Sequence, residues 1–390
     1  MAGLTEVRDA EGSSFWTWRE AMYRFVDRLS PEQLEAVTAL AYLEMLESGF
    51  TRVGEFHYLH HDVDGGPYSN PAELATRIVA AAASTGIRLT LLPVLYSRSG
   101  FGGGAPRPAQ RRFINNPDSF AKLLERAHDA TRGAPGAVLG VAAHSLRAVT
   151  PDELDFARNL RPNHPFHIHI AEQTAEVDDC VAWSGARPVR WLLDHAPVDE
   201  RWCLVHATHV DDGELSGIAR TRAVVGLCPI TEANLGDGLF PAEEFVVREG
   251  RFGVGSDSNV RIDAAEELNV LEYGQRLRDR KRNVLAIEPG HSTGRALFDK
   301  ANEGGAGALG VMPSRIGVGM DADIVALDDH SSLLVARSGD AFLDSWIVGG
   351  HREVVREVWV GGQLVVAEGR HVLRDSIQAR YSNAIRALLA

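Results

Sequence analysis

Short apolar runs separated by helical patterns make up most of the chain between residues 51 and 259. The apolar runs lie at residues 51–59, 87–96, 137–146, 165–173, 202–208, 223–230 and 251–259. Stretches between them, such as "PDELDFARNL" and "DDGELSGIAR", have the apolar spacing of helices. Strands that alternate with helices predict right-handed βαβ units and a parallel sheet, and this many units favour a (β/α)8 barrel over an open doubly wound sheet. We therefore predict an α/β fold of the TIM-barrel type with seven visible barrel strands, the first strand of the barrel being absent.

The two ends of the chain depart from this alternation. The segment "SPEQLEAVTALAYLEMLESG" predicts a helix, with Ser30 as its N-cap, Pro31 in its first position and Gly49 at its end. Near the C-terminus, "GMDADIVALDD" and "VWVGGQLVV" predict short strands and a β-hairpin, and "DSIQARYSNAIRALLA" predicts a helix. We therefore predict three parts: a barrel at residues 1–311, a small β-sandwich-like domain at 312–372, and a C-terminal helix at 373–390.

Composition and charge narrow the classes of function. The 40 Lys and Arg residues against 53 Asp and Glu give a net charge of −13, and no basic run is dense enough to follow a phosphate backbone. The three cysteines lack the CxxC spacing of a thiolate zinc site and are too few for a disulfide framework. No apolar stretch reaches the ~18 residues of a membrane span, and the first residues lack the apolar core of a signal peptide. We therefore expect a cytoplasmic protein without nucleic-acid or membrane partners.

Polar side chains end several of the predicted strands. His169 and Glu172 end one strand in "HIHIAEQ", His206 ends the next in "WCLVHATH", and Asp257 ends the last in "GVGSDSN". Because the carboxyl ends of barrel strands meet at one face, we expect these side chains to gather around one cavity. Imidazoles and carboxylates are the groups that bind a divalent metal and activate water. Three more polar side chains end other strands in the same way: Tyr58, His144 and Arg147.

Each of these residues also has an ordinary structural interpretation. Asp257 could cap the helix that follows it, Arg147 could be a surface charge, and Tyr58 could be a packed aromatic residue. His167 is expected to be a hydrogen-bonded core residue that lies deeper in the barrel. We expect the histidines at residues 57–61 to be solvated in a loop rather than to bind a metal.

The order of the motifs resembles the amidohydrolase superfamily and, within it, the formimidoylglutamate deiminases. The similar segments are "HIHIAEQ", "RPVRWLLD", "WCLVHATH", "GLCPITEANLGDGLFPAEEF", "GVGSDSNV" and "EELNVLEYGQRLRDRKRN". This resemblance extends over the whole chain. It implies a zinc-dependent, homodimeric hydrolase that acts on the formimino C=N bond of N-formimidoyl-L-glutamate, a step of histidine degradation, and releases N-formyl-L-glutamate and ammonia.

The resemblance also implies roles for individual residues. His169 and Asp257 would bind one zinc ion per subunit, and Asp257 would also be the general base. Glu172 would be the proton shuttle, and His206 would polarise the substrate. The glutamate part of this dicarboxylate substrate would be held by Arg19, Tyr58, His144 and Arg147. Two other interpretations remain, namely a related deaminase of a nucleobase or an S-adenosyl compound, and a non-catalytic scaffold.

One part of the family pattern is absent from the printed chain. The first strand in the family ends in a His-x-His pair that supplies two zinc ligands, and the printed chain starts after the segment that would hold this pair. We therefore expect either that the chain begins at an internal methionine of a longer protein, or that it is a natural short form with reduced activity. We favour the first.

For residues 1–390 expressed alone, we expect less than one zinc ion per subunit, ready aggregation and no measurable hydrolysis of formiminoglutamate. Loss of a single hydrogen-bond partner of a ligand weakens metal binding by ~10–100-fold, so loss of two imidazole ligands should weaken it further. Atomic absorption and ammonia release, measured with and without an upstream segment, test this expectation. Full zinc loading and turnover in the short chain would show that other residues, such as His57, His60 or His61, complete the site.

Overall fold

The main sheet of the computed structural model has seven parallel strand positions, arranged in the order of the chain. The structure describes Glu6, Met22, Tyr23 and residues 25–390. The strands are β1 (Arg52–His57), β2 (Arg88–Leu95), β3 (Val138–Leu139), β4 (Val141–Ser145), β5 (Phe166–Ile170), β6 (Trp202–His206), β7 (Val224–Leu227) and β8 (Arg251–Val254). β3 and β4 both pair with β2 and together occupy one position. They are separated at Gly140, where a Cβ atom would lie 2.6 Å from the carbonyl oxygen of Pro165. The predicted count of seven strands is confirmed for the described residues, in which β1 and β8 are the edges of the sheet.

Helices follow the strands and cover the sheet. They are α1 (Pro31–Glu47), α2 (Glu73–Thr85), α3 (Pro117–Arg132), α4 (Pro151–Leu160), α5 (Thr174–Ser184), α6 (Pro188–His195), α7 (Asp212–Thr221), α8 (Pro229–Leu235), α9 (Ala242–Val247), α10 (Ala264–Asp279), α11 (Thr293–Ala308), α12 (Ala341–Ser345) and α13 (Arg374–Leu389). The core lies between strand residues such as Leu91, Ile168 and Leu204 and the apolar faces of the helices, and these three side chains are fully buried. In the described part of the chain, no helix combines the length and the apolar character needed to cross a membrane.

Helix α1 begins and ends where its sequence predicts. The side chain of Ser30 accepts a hydrogen bond from the backbone N–H of Gln33, and the side chain of Gln33 accepts one from the backbone N–H of Ser30. This reciprocal pair satisfies two backbone donors that a helix leaves unpaired at its start. Gly49 follows the helix with a φ of +102°, in the left-handed region that glycine adopts at low cost.

A small antiparallel sheet forms after the barrel segment. Its strands are β9 (Ile324–Leu327), β10 (Val355–Val360), β11 (Gln363–Ala367) and β12 (Arg370–His371), in the order β12-β11-β10-β9. Gly361 and Gly362 join β10 to β11 with positive φ angles, which confirms the predicted hairpin. Between β9 and β10 the chain contains α12 and two short helical turns, Trp346–Gly350 and His351–Val354. The division into domains at 1–311, 312–372 and 373–390 stays a prediction.

A buried carboxylate on α1 connects the small sheet to the terminal helix. Glu47 is 5% exposed, and it accepts a hydrogen bond from the backbone N–H of His371 at 2.9 Å. Its second oxygen pairs with the guanidinium of Arg374 at the start of α13. The side chain of His371 also hydrogen-bonds the carbonyl oxygen of Thr85, at the end of α2. Charged hydrogen bonds therefore hold β12 and α13 against the first two helices.

Two neighbouring glycines on α11 provide a test of how this helix packs on β8. A Cβ atom at Gly304 would lie 1.9 Å from the carbonyl oxygen of Phe252, whereas one at Gly305 would meet no atom within 4 Å. We expect Gly304→Ala to lower the free energy of unfolding by about 1–3 kcal/mol through overpacking. We expect Gly305→Ala to raise it by about 0.5–1 kcal/mol, because alanine is the better helix former. Urea unfolding followed by circular dichroism measures both, and equal effects of the two changes would contradict this packing.

Candidate active site

A cavity of about 550 Å³ runs along one face of the main sheet to the carboxyl ends of its strands. It is lined by seven of the residues that the sequence singled out: Tyr58, His144, Arg147, His169, Glu172, His206 and Asp257. Arg19, the eighth, lies outside the described residues. The structure therefore brings the strand-end polar groups together, while their individual roles in binding and catalysis stay predictions.

Parallel pairing and sharp turns at the strand ends position these side chains. Ile170 pairs with His206 in the register of β5 and β6, so the ends of these strands lie side by side. At the ends of these strands, or within three residues of them, the backbone enters the left-handed region at Ala171, His206 and Asp257, with φ angles of 52°, 68° and 41°. This conformation costs a non-glycine residue about 1–3 kcal/mol and is typical of functional sites. The surrounding packing maintains it here.

Three donor atoms at this end of the cavity suit a divalent metal. The donor atoms of His169, His206 and Asp257 lie within 4.8 Å of one another. The Nδ1 atom of His169 is 3.2 Å from the carbonyl oxygen of His144. A carbonyl oxygen only accepts, so Nδ1 carries the proton and Nε2 keeps its lone pair. Burial also lowers the pKa of His169 well below its ordinary value, which keeps the ring neutral. The neutral imidazole of His169 and the carboxylate of Asp257 fit zinc, so these two residues fit the predicted metal.

Asp257 does not cap the helix that follows it, so the structural interpretation given to it from the sequence is wrong. Helix α10 is capped by Asp263, whose side chain accepts hydrogen bonds from the backbone N–H groups of Ala265 and Glu266 at 3.0 and 3.1 Å. Asp257 lies six residues earlier and faces the cavity, where water reaches its carboxylate. Its position therefore suits a group that contacts a metal or a water molecule.

The imidazole of His206 lies between two buried carboxylates. Its Nε2 atom is 3.7 Å from Glu172 Oε1, and its Nδ1 atom is 3.3 Å from Glu232 Oε1. Burial lowers the pKa of His206, but the charge of Glu172 and the hydrogen bond with Glu232 outweigh burial and raise this pKa to about 10. Burial raises the pKa of Glu172, and the nearby His206 partly opposes that rise. The site therefore holds a positive imidazole beside a carboxyl group that gains protons readily, an arrangement suited to proton transfer.

Arg147 is a largely buried cation rather than a surface charge. Its side chain is 15% exposed, and its Nη2 atom is 3.6 Å from Glu176 Oε2. The same oxygen of Glu176 accepts a hydrogen bond from the backbone N–H of Glu172 at 3.2 Å. Among the described residues, the buried Nε atom of Arg147 has no hydrogen-bond partner. Arg147 therefore keeps a donor for an anionic ligand while Glu176 holds its guanidinium in place.

Aromatic rings form the wall of the cavity next to Arg147. The ring of His144 lies 4.6 Å from that of Tyr96 and 5.5 Å from that of Tyr58. Tyr58 in turn packs edge-on against Phe113, and burial raises the pKa of Tyr58, so its hydroxyl stays protonated. The hydroxyl of Tyr96 accepts a hydrogen bond from Gln110. The packed-aromatic interpretation of Tyr58 is therefore compatible with a hydroxyl that faces a ligand.

The other histidines that the sequence raised are buried. His167 donates a hydrogen bond from Nε2 to the carbonyl oxygen of Ala308 at 2.7 Å, as expected of a core residue. The expectation that the histidines at 57–61 are solvated is wrong. His60 and His61 bond to carbonyl oxygens of Val94 and Ile114, and burial lowers the pKa of His57 to about 4. The segment packs against β2, where the carbonyl of Val94 accepts from His60, and against the loop before α3, where the carbonyl of Ile114 accepts from His61. None of the three belongs to a metal-donor group found among the described residues.

Sequence reasoning missed four residues of the site: Tyr96, Gln110, Glu176 and Glu232. Glu232 lies on α8 just after β7, so the rule that strand ends carry functional groups would have found it if applied to this strand. Glu176 lies four residues after Glu172, in the first turn of α5, a spacing that places it next to the backbone of the strand end. Nothing in the sequence distinguishes Gln110, because its contact with Tyr96 joins a short 3-10 turn at Pro108–Gln110 to the end of β2.

Comparison with known proteins places these features in a family. The Amidohydrolase family matches residues 4–365. A formimidoylglutamate deiminase from Pseudomonas aeruginosa is 54% identical over 392 residues, and the alignment covers 100% of this chain and 86% of the relative. A 5-methylthioadenosine/S-adenosylhomocysteine deaminase from Natronomonas pharaonis is 27% identical over 376 residues, covering 94% of this chain and 79% of the relative.

Solved structures give the same result. The crystal structure of an amidohydrolase from Brucella melitensis is 56% identical, with a TM-score of 0.96 over 100% of this chain and 86% of that one. An adenosine deaminase from Xanthomonas campestris with bound zinc is 21% identical, with a TM-score of 0.80 over 98% of this chain and 81% of that one, and it supports the fold alone. Since the family match spans most of the chain and the 54% identical relative aligns along all of it, the chain belongs to the amidohydrolase family.

Proposed function

We propose that this protein hydrolyses the formimino C=N bond of N-formimidoyl-L-glutamate to give N-formyl-L-glutamate and ammonia, with zinc as its metal. The observation that carries the proposal is that one cavity combines a metal-donor group with a buried arginine. The 54% identity to a formimidoylglutamate deiminase supports the same substrate. The relatives that act on S-adenosyl compounds are more distant, at 26–28% identity among those compared.

His169 and Asp257 are the residues that would hold the metal. His169 presents the lone pair of Nε2, because its Nδ1–H donates to the carbonyl of His144. When bound, zinc lowers the pKa of a coordinated water towards ~7, which makes hydroxide available at neutral pH. Asp257 would also be the general base that takes a proton from water, since its carboxylate faces the cavity.

Two residues then act on the reacting amidine. His206 donates a hydrogen bond from Nε2 to the oxygen that gains negative charge at the amidine carbon. Glu172, 3.7 Å from that imidazole, delivers a proton to the nitrogen that leaves as ammonia. The carbon thereby exchanges a C=N bond for a C=O bond, with water as the second reactant. Burial raises the pKa of Glu172 above its ordinary value, and a carboxyl group with a raised pKa is better suited to carry and deliver a proton.

The carboxylates of the substrate need cationic partners. Arg147 offers a guanidinium that is already oriented by Glu176, and a guanidinium pairs with a carboxylate through two parallel hydrogen bonds. Tyr58 and His144, whose rings lie 5.5 Å apart, line the same cavity and would add hydrogen bonds. Arg19 would be the second cation, a role that stays a prediction. We also propose that the protein acts as a homodimer in the cytoplasm, as the resemblance and the composition suggest.

Removal of the Arg147 guanidinium should affect substrate recognition and leave the metal in place. We expect Arg147→Ala to lower kcat/KM for formiminoglutamate by an amount equivalent to about 2–4 kcal/mol, because a buried carboxylate loses its partner. Arg190→Ala, which removes an exposed arginine on α6, is the control and should match the parent. The assay measures ammonia release in the form of the protein, with or without an upstream segment, that turns the substrate over. Equal activity of Arg147→Ala and parent would move support to a nucleobase or S-adenosyl deaminase.

Zinc affinity tests the metal assignment separately from turnover. We expect His169→Ala to weaken zinc binding by at least ~100-fold, more than the loss of a partner of a ligand would cause. His167→Gln is the matched control, because it changes a buried histidine two residues away that bonds the Ala308 carbonyl instead of facing the donor group. Competition with a chromophoric chelator measures both affinities. Retention of parental zinc affinity in His169→Ala would exclude this residue as a ligand.

A further inference from the structure

Glu232 is a buried carboxylate that contacts His206 from the side opposite Glu172. It lies on α8 and is 5% exposed. Its Oε1 atom accepts a hydrogen bond from the backbone N–H of Cys228 at 2.9 Å and lies 3.3 Å from His206 Nδ1. The backbone of Glu232 is fixed as well, because its N–H donates to the carbonyl of Cys228. The hydrogen bonds with Cys228 at the start of α8 therefore fix the position of the Glu232 carboxylate independently of its contact with His206.

This contact decides which nitrogen of His206 faces the reacting atoms. A carboxylate oxygen that already accepts the Cys228 N–H can only accept from His206, so Nδ1 must carry the proton that points to Glu232. Nε2 is then the nitrogen directed towards Glu172. The strand fixes the backbone of His206, which pairs with Ile170, but not the rotation of its ring. A partner for Nδ1 is needed to hold the ring.

We propose that Glu232 is a positioning residue, which holds the Nδ1–H of His206 so that Nε2 is presented to the substrate. This inference rests on the proposed function, which assigns the catalytic role to His206. Glu232 is not one of the described residues that line the cavity. It therefore acts on the substrate only through His206. Buried imidazoles in catalytic sites depend on such a partner to keep one ring orientation, here with Nδ1–H towards Glu232 and Nε2 towards Glu172.

A second metal site at the same place is the competing interpretation. Cys228 brings a thiol to within 4.8 Å of the donor atoms of His206 and Glu232. However, Glu232 Oε1 and His206 Nδ1 already satisfy each other, and burial raises the pKa of the Cys228 thiol well above its ordinary value. The hydrogen bond accounts for the cluster without an ion.

The test compares Glu232 with a matched carboxylate, Glu267 of α10, which contacts the start of α8. Glu267 is fully buried, and its Oε2 accepts the backbone N–H of Ile230 at 2.9 Å. In the described part of the chain, no hydrogen bond joins Glu267 to His206. Glu232→Gln and Glu267→Gln therefore both replace a buried carboxylate that accepts a backbone N–H at the start of α8 with a neutral amide. Only Glu232→Gln changes the partner of His206 Nδ1. Glu232→Ala and Glu267→Ala remove the two acceptors in the same paired way.

The first measurement is the histidine side-chain NMR spectrum, which requires no turnover. Long-range ¹H–¹⁵N correlation spectra of histidine-labelled protein should show a protonated, strongly hydrogen-bonded Nδ1 in His206, identified by its absence in His206→Gln. In Glu232→Gln the Hδ1 resonance should move upfield, because a neutral acceptor makes the weaker bond. In Glu232→Ala the Nδ1 proton should be lost and Nε2 should carry the proton towards Glu172. Both Glu267 variants should keep the parental signals.

The second measurement is the split between kcat and KM for formiminoglutamate. We expect kcat to fall by ~10–100-fold in Glu232→Ala and by less in Glu232→Gln, with KM changed by less than about threefold. Both Glu267 variants should keep the parental kcat, whatever their stability. An unchanged Hδ1 resonance in Glu232→Gln, or an equal loss in the Glu267 variants, would overturn the proposal. If the protein with its upstream segment shows the NMR contact and binds zinc but gives no hydrolysis, the proposed function fails while the positioning of His206 stands. If Glu232→Ala does not fold, the two Gln variants decide the question.

Discussion

Parallel pairing of neighbouring strands is the constraint on which the candidate site depends. In such a sheet every strand ends on the same side, so residues far apart in the chain meet at one edge. The register that pairs Ile170 with His206 brings the ends of β5 and β6 together, and β8 brings Asp257 to the same cavity. Backbone turns in the left-handed region then direct His206 and Asp257 towards that cavity. The hydrophobic packing of helices on the sheet maintains these strained turns, so the stability of the barrel is a condition for the geometry of the site.

Compensation of buried charge is the second principle of the site. An isolated charge in a protein interior is unfavourable by several kcal/mol, so each buried ion needs a partner. Here the partners form two groups: Glu172 and Glu232 on either side of His206, and Glu176 with Arg147. Glu176 joins the groups, because its Oε2 also accepts the backbone N–H of Glu172. The residues proposed for proton transfer and for substrate recognition are therefore joined by one connected set of hydrogen bonds and ion pairs.

Electrostatics and hydrogen-bond direction give the histidines different chemistry in similar surroundings. His167, His169 and His206 are all enclosed, and burial alone lowers the pKa of each. His167 and His169 face carbonyl oxygens and stay neutral, one as a core residue and the other as a candidate ligand. His206 faces carboxylates instead, and its pKa rises. The identity of the acceptor behind each ring, more than the degree of burial, separates a structural imidazole from one suited to catalysis.

The sequence by itself determined the α/β class, the seven strands, the helix starts at Ser30 and the hairpin at Gly361, because these depend on local periodicity and on caps and turns of a few residues. It also identified the strand-end residues His169, Glu172, His206 and Asp257, because all strands of a parallel sheet end on the same side. Only the tertiary structure decided the partners of those residues. The contacts of Glu232 with His206 and of Glu176 with Arg147 join segments 26 and 29 residues apart, and no periodic pattern encodes which side chains meet. The burial of the histidines at 57–61 was decided in the same way, since it follows from the folding of that loop onto carbonyls of β2 and a distant turn.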